Sequence, residues 1–406
     1  MYLLKEYPSK EELLERRKGV FGIHEVNAHV HTPYSFSAFT DITQIFEMAR
    51  KEKVKVVGIN DFYVTDGYEP FYEEAIKAKV FPLFNMESIC LMREEQQRQI
   101  RVNDPNNPGR CYFSAKGLDY PFRLSPPLKK KLSAVIAETQ VQVKAMIQKC
   151  NEWLKQCNAP FFLDYETIKK NLAKELVRER HLAKAIRIAV WESEATDEGR
   201  LALLKKIYGG KESKTGVKNI PALENEIRSM LLKAGGAAFV PEDENAFMSL
   251  EEVMRIYLDA GGIPCYPVLL DDARGNFTEY EADYEKLFHE LSRRGIGCIE
   301  LIPGRNDLKI LTDFVRFFKE KKFVILFGTE HNAPEMIPLT CDTRGNVPLT
   351  EELRKINYEG ACVVAAHQYL RARGEEGFIY PCGHPKTDKQ AEFIELGHVV
   401  IEKWIQ

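Results

Sequence analysis

EVNAHVHTPYS, Glu25–Ser35, is the stretch from which the fold can be read. Its opening, Glu25–Val30, alternates polar residues with Val26, Ala28 and Val30, the two-residue period of a strand. Asp41–Lys53 follows with Ile42, Ile45, Phe46 and Ala49 at helical spacing, and Val54–Ile59 is a short β-branched run. Pro70–Ala78 reads as a helix opening with proline, and Val80–Met86 as a third strand. Strand–helix–strand–helix–strand at this spacing predicts parallel strands with right-handed crossovers. The rhythm returns later in the chain. Ser249 and Glu252 form a capping box before a helix that ends at Gly261-Gly262. Ile263–Tyr266, Gly297–Ile302 and Phe323–Phe327 read as strands. Between them lie helix faces marked by Tyr280, Tyr284, Leu287, Phe288 and Leu291, then by Leu308, Leu311, Phe314, Val315 and Phe318. Such alternation predicts an α/β barrel or a doubly wound sheet.

Between the two blocks the pattern changes. Leu128–Cys157, Ile168–Val190, Thr196–Ile207 and Ile220–Ala234 read as helices with almost no strand signal. The expected organisation is a first barrel portion over 1–124, a helical insertion or cap over 125–235, and a second barrel portion with a C-terminal extension over 236–406. The last segment joins a helix through Ala365-Ala366-His367 to a Gly/Pro-rich run, Gly377–Lys386, that would complete the barrel or cover its site.

Composition narrows the class. The 406 residues are 44% apolar and 29% charged, which is ordinary for a globular chain. Fifty-seven Lys+Arg against 60 Asp+Glu leave a net charge of −3, so neither nucleic acid nor a membrane surface is an expected partner. The N-terminal MYLLKEYPSKEELLERRK lacks the apolar core of a signal peptide. Nine scattered cysteines include no C-x-x-C, which fits reduced thiols and a cytoplasmic setting. The expected partner is a small-molecule substrate; the oligomeric state is left open.

The carboxyl ends of the predicted strands carry the chemistry. His29 and His31 end the first, Asp61 the second and Glu87 the third; Tyr266, Glu300 and Glu330 end later ones. Parallel α/β folds gather their sites at that edge. Residues two apart on a strand point to the same face, so His29-Val-His31 is a natural metal device, and a carboxylate such as Glu87 suits the same ion.

The residues here reach a resemblance. Asn27-Ala-His29-Val-His31-Thr32-Pro33-Tyr34-Ser35, Val57-Gly-Ile-Asn60-Asp61 and Glu87 resemble the first three motifs of the polymerase and histidinol phosphatase (PHP) superfamily. Ala260-Gly-Gly-Ile-Pro264-Cys-Tyr266-Pro267, Ile299-Glu300 and Phe327-Gly-Thr-Glu330-His-Asn332 are similar to its later ones. The resemblance implies a distorted (β/α)7 TIM-like barrel, up to three divalent metals at the strand ends, and hydrolysis of phosphate esters. Three positions depart from the pattern. Asp61-Phe62 stands where the family keeps Asp-His, and Tyr266-Pro267 where it keeps His-Pro. The final Asp-x-His becomes Glu330-His331-Asn332, so either Asn332 replaces the ligand or His331 has shifted by one. Phenylalanine cannot ligate at all. The expectation is therefore one or two ions of Mn, Zn or Fe, held by His29, His31, Glu87 and Glu330 with Asn332 beside them.

Proton carriers are sought in Asp61, His181 and His331, and the Tyr266 phenol is expected to steady a substrate oxygen. Arg180 beside His181 in the insertion, and His367 near the C-terminus, are candidate substrate contacts. Arg110, Lys116 and Arg123 lie in a stretch read as the loop Gly109–Pro126 and are further anion contacts. The primary reading is a metal-dependent hydrolase of a phosphate ester. The alternatives are a metal-dependent lyase or isomerase of a sugar-like substrate, and a catalytically impaired binding module.

Overall fold

Strands covered on both faces must be apolar nearly throughout. β2, Val54–Phe62, and β3, Phe81–Leu91, are buried along almost their whole length. The computed structural model describes residues 2–15 and 22–406. Residues 1 and 16–21, part of the charged N-terminal stretch read above, lie outside the described residues.

The remaining strands are β1 (Glu25–Val30), β4 (Arg110–Lys116), β5 (Ile263–Val268), β6 (Cys298–Leu301) and β7 (Val324–Phe327). All seven form one sheet in sequence order. β1, β2 and β3 are parallel, as are β5, β6 and β7, while β4 runs antiparallel to both neighbours. A parallel bridge between Val30 and Glu330 brings the ends of the sheet together. The result is the distorted seven-stranded α/β barrel that the resemblance implied, ringed by helices.

β4 corrects the loop reading of Gly109–Pro126. Cys111, Phe113 and Ala115 form its apolar face, and Arg110, Tyr112, Ser114 and Lys116 its polar one. That is a two-residue period, with the polar face turned towards the barrel interior.

The β1–β7 seam is closed from outside by the helix Glu351–Ala372. Asn357 accepts from the Phe327 amide at 2.8 Å and donates to the Val26 carbonyl at 3.1 Å, so one buried amide serves both edge strands. Gln368 does the same for the free edge of β3, bonding Phe84 N and Pro82 O. Edge groups left unpaired in the interior would cost on the order of 1–3 kcal/mol each. The segment after this helix does not reach the site. Pro385 packs against Gly297, just before β6, which puts Gly377–Lys386 at the amino-terminal end of the barrel.

Residues 126–232 hold helices and no strand. The helices Pro126–Gln156, Tyr165–Leu172, Glu179–Ser193, Asp197–Ile207 and Ile220–Ile227 enclose an apolar core of their own around Leu154, Ile186, Leu204 and Leu223. No described helix is long and apolar enough to cross a membrane, and the nine cysteines are unpaired.

Candidate metal centre

β1 presents His29 and His31 to the barrel mouth, with their Nε2 atoms 3.2 Å apart. Two unprotonated nitrogens have no reason to approach so closely unless something lies between them. A tetrahedral ion with bonds of about 2.05 Å would set its ligand atoms roughly 3.3 Å apart. Glu87 completes the group: one ligand atom from each of the three residues lies within 4.8 Å of the others. All three are buried.

The other imidazole nitrogens are held from behind. His29 Nδ1 lies 2.9 Å from Glu300 Oε2. His31 Nδ1 lies 3.3 Å from Ser35 Oγ and 3.9 Å from Asp61. With Nδ1 donating to these groups, both Nε2 lone pairs face the same point, the usual arrangement of ligating histidines. Burial pushes the Glu87 carboxyl up to about 8, and the nearby Glu330 and Glu300 carboxylates add to it while His29 and Lys116 oppose it. Among the described residues its carboxylate has no cation, only His31 Nε2 at 3.5 Å. Two Nε2 atoms turned to one point, that of His29 with Asn60 Nδ2 at 2.9 Å, and a buried carboxylate without a cation fit a divalent ion.

Gly328 makes the arrangement fit sterically. A Cβ at that position would lie 2.3 Å from His29 Cβ, so only glycine lets the end of β7 pass β1 here.

Glu330 stands on the cavity wall but is engaged elsewhere. Its Oε2 accepts from Arg305 and, at 2.8 Å, from Asn332 Nδ2. Burial raises its carboxyl, yet Arg305, His29 and His31 outweigh that and hold it below the usual range. It therefore sits beside the three-residue group rather than in it. Asn332 lines the cavity and His331 does not. The His331 ring stacks on Phe39 and is bonded on both sides, to Thr329 Oγ1 at 2.7 Å and Ile337 O at 2.8 Å. Asn332 lies on the cavity side of the turn, bonded to Glu330, and His331 anchors the turn.

Asp61 and Phe62 take opposite faces of β2. Asp61 accepts from Thr32 N at 2.8 Å, Thr32 Oγ1 at 2.5 Å and Ser35 Oγ at 2.6 Å, behind His31. It is fully buried and does not line the cavity, so it positions His31 rather than meeting substrate. Phe62 faces inward, stacked on His31 with ring centroids 5.0 Å apart.

A cavity of about 960 Å³ opens above this centre, walled by the strand ends below and by the insertion above. That size suits a small ligand. Arg178 lies 4.6 Å over the Phe62 ring and Arg180 5.5 Å from that of Phe36. Arg180 also donates to Asn225 Oδ1 at 3.2 Å, and burial with Arg228 nearby lowers its guanidinium to about 10. Among the described residues neither arginine has a carboxylate partner, whereas Arg110 is paired with Glu242 and Arg228 with Glu179. His181 is not in the cavity. Its Nδ1 accepts from the Arg178 amide at 3.0 Å, capping the helix Glu179–Ser193, and burial drops the imidazole to about 3. It stays neutral at ordinary pH, so it does not serve the site as a charged acid. The insertion residue that lies over the Phe62 ring is Arg178, which the sequence alone does not single out.

Tyr266 and His367 also serve the scaffold. Tyr266 faces away from the interior on β5, fully buried, and its hydroxyl donates to Glu281 Oε1 at 2.9 Å instead of to substrate. His367 lies at the far end of the barrel, where Nε2 donates to Gly261 O at 2.6 Å and Nδ1 accepts from Phe378 N at 2.8 Å. Of the basic residues in the former loop, Arg110 lines the cavity and Arg123 is exposed elsewhere. Lys116 is completely buried, its Nζ 2.5 Å from Glu300 Oε2.

Glu281 has a consequence for stability. It is fully buried, and burial raises its carboxyl from 4.5 to about 7 despite bonds from Leu269 N, Leu270 N and Tyr266. The folded state then holds this proton more tightly than the unfolded chain. Its contribution is fully present below pH 4.5 and lost as pH rises to about 7. At 1.36 kcal/mol per pKa unit the loss is on the order of 3 kcal/mol. Glu281→Gln should remove this slope. In urea denaturation at pH 5 and pH 7, an unchanged stability difference between wild type and variant would refute the assignment.

No curated protein matches the sequence. Among solved structures, a candidate metal-dependent phosphoesterase from Bifidobacterium adolescentis is similar over 83% of this chain and 96% of that one, with 15% identity and a TM-score of 0.51. An amidohydrolase from Chromobacterium violaceum with bound sulfate and no metal covers 82% of this chain and 96% of its own, at 15% identity and a TM-score of 0.48. At such identity the likeness concerns the fold. The sequence itself matches a family model, the PHP domain, over residues 27–230, which runs from the first strand through the helical insertion. This chain belongs to the PHP domain family.

Proposed function

We propose that the protein is a metal-dependent hydrolase of a small phosphate ester. The carrying observation is the pair of imidazole Nε2 atoms 3.2 Å apart, each ring anchored through Nδ1, beneath two arginines without carboxylate partners. His29, His31 and Glu87 would hold the ion. A divalent cation there supplies Lewis-acid polarisation and charge neutralisation for an anionic oxygen. Arg178 and Arg180 bind and orient the phosphoryl group, since guanidinium forks match its oxygens. Phe62 covers one face of His31, while Glu300 behind His29, and Ser35, held by Asp61, behind His31, keep the two rings in the required tautomer. The domain division 1–124, 125–235 and 236–406 is part of this proposal, with the insertion as the cap that carries the arginines. Its separate apolar core supports that reading.

The family membership supports the hydrolase reading, and the two unpaired guanidiniums favour a phosphoryl dianion over a neutral amide or a sugar. The test is phosphate release from a panel of monoesters and diesters by chain loaded with Mn²⁺ or Zn²⁺. Release that EDTA abolishes is expected. Elimination or isomerisation products without phosphate release would favour the lyase or isomerase. Metal binding with no turnover of any substrate would favour a binding module.

A further inference from the structure

Most buried carboxylates near the barrel mouth already have a protein partner. Glu330 is paired with Arg305. Asp61 is saturated by Thr32 and Ser35. Glu300 is engaged at both oxygens: Oε1 accepts from Ser114 Oγ at 2.5 Å, and Oε2 from His29 Nδ1 at 2.9 Å and Lys116 Nζ at 2.5 Å. Among the described residues, Glu87, beside His29 and His31, is the one left without a cation or a donor other than His31.

Lys116 is the unusual member. A lysine with no exposed surface is rare, because an unpaired ammonium is costly to take out of water. Here the charge is matched by Glu300, and Asn60 Oδ1 lies 3.4 Å from Nζ. The position follows from topology. β4 runs against its neighbours, so its last inward-facing residue lies deep in the barrel under Glu300 rather than at the rim. The ammonium therefore occupies the deep side of the one carboxylate that touches a metal-facing histidine from behind.

We propose that Lys116 is a built-in cation that takes the place of a second metal ion, so that the centre binds a single divalent ion at His29, His31 and Glu87. With both oxygens engaged, Glu300 is not a ligand; it orients His29, and Lys116 is a positioning residue acting through it. A second divalent ion near Glu300 would face the ammonium at close range without any free carboxylate to offset the repulsion. This inference rests on the metal-centre reading above and goes further in fixing the stoichiometry.

The test uses the full chain stripped of metal and titrated with Mn²⁺, read by equilibrium dialysis and by EPR. Wild type should bind one equivalent and give an uncoupled six-line spectrum. Lys116→Ala frees the Glu300 carboxylate and should admit a second equivalent, with the broadening of two coupled ions. Lys116→Gln, neutral but close in size, makes the same test where the alanine variant does not fold. Two equivalents in wild type would overturn the inference and leave the hydrolase reading standing. One equivalent in the neutral variants would overturn the role given to Lys116. No binding by wild type would overturn the metal centre itself.

Discussion

His31→Ala should abolish metal-dependent turnover and weaken metal binding by well over 100-fold. Among the described residues its Nε2 is one of two imidazole nitrogens facing the centre, 3.2 Å from that of His29 and 3.5 Å from Glu87. Removing it leaves one nitrogen and one carboxylate, too few for a four-coordinate site. Burial already lowers the His31 imidazole, against the pull of Asp61, so the wild-type ring is neutral and ready to ligate at pH 7. Asp61→Asn gives the comparison that identifies cause. It keeps the shape but weakens the bonds to Thr32 and Ser35, and the loss of such an orienting partner costs roughly 10–100-fold in affinity. Isothermal titration with Zn²⁺ should therefore rank wild type, Asp61→Asn and His31→Ala in that order. Equal affinities for wild type and His31→Ala would dismiss the centre.

Arg178→Ala should lower kcat/KM for an anionic substrate by about 10²–10³, the range found when one preorganised donor to a developing charge is removed. The guanidinium lies over Phe62, which lies over His31, so it faces the same cavity as the metal ligands at the height of a bound substrate. It has no carboxylate to release before it can bind an anion. Arg180, partly committed to Asn225, should show a smaller loss on truncation. Lysine at 178 should recover only part of the rate, because a point charge does not reproduce a fork of donors. Steady-state kinetics across the three variants decide the matter. An Arg178→Ala enzyme with unchanged kcat/KM would remove the insertion from the reaction.

The centre depended on a local pattern, and local patterns are legible in sequence. His29 and His31 share a face because a strand repeats every two residues, and Glu87 lies on β3, two places along the sheet. These relations follow from the backbone alone, so the three residues and the barrel could be named before any coordinates. The helical insertion was equally plain from its period and its lack of strand signal.

What failed were several inferences that required knowing which way a residue faces across the fold. Tyr266 sits in a family-like position, but one step along a strand turns a side chain to the other surface, and its phenol meets Glu281. His331 and Asn332 differ by the same single step, at a turn where Glu330 and His331 both take positive φ values of 63° and 52°. His181 and His367 were credited for being histidines, yet each is a neutral, buried hydrogen-bonding residue, one of them at the far end of the barrel. Lys116 shows the limit most clearly. The alternation Arg110, Tyr112, Ser114, Lys116 could have marked β4 as a strand, but nothing in it tells that the strand runs antiparallel. Strand direction is set by pairing with β3 and β5, one adjacent in sequence and the other more than a hundred residues away. The alternation of strand and helix periods pointed to an α/β fold, the motif resemblance to the barrel, and the two-residue period to the shared face of His29 and His31. Only the tertiary structure decided that a lysine lies beneath Glu300 and an arginine above His31, because charges are brought together by long-range packing that no local period encodes.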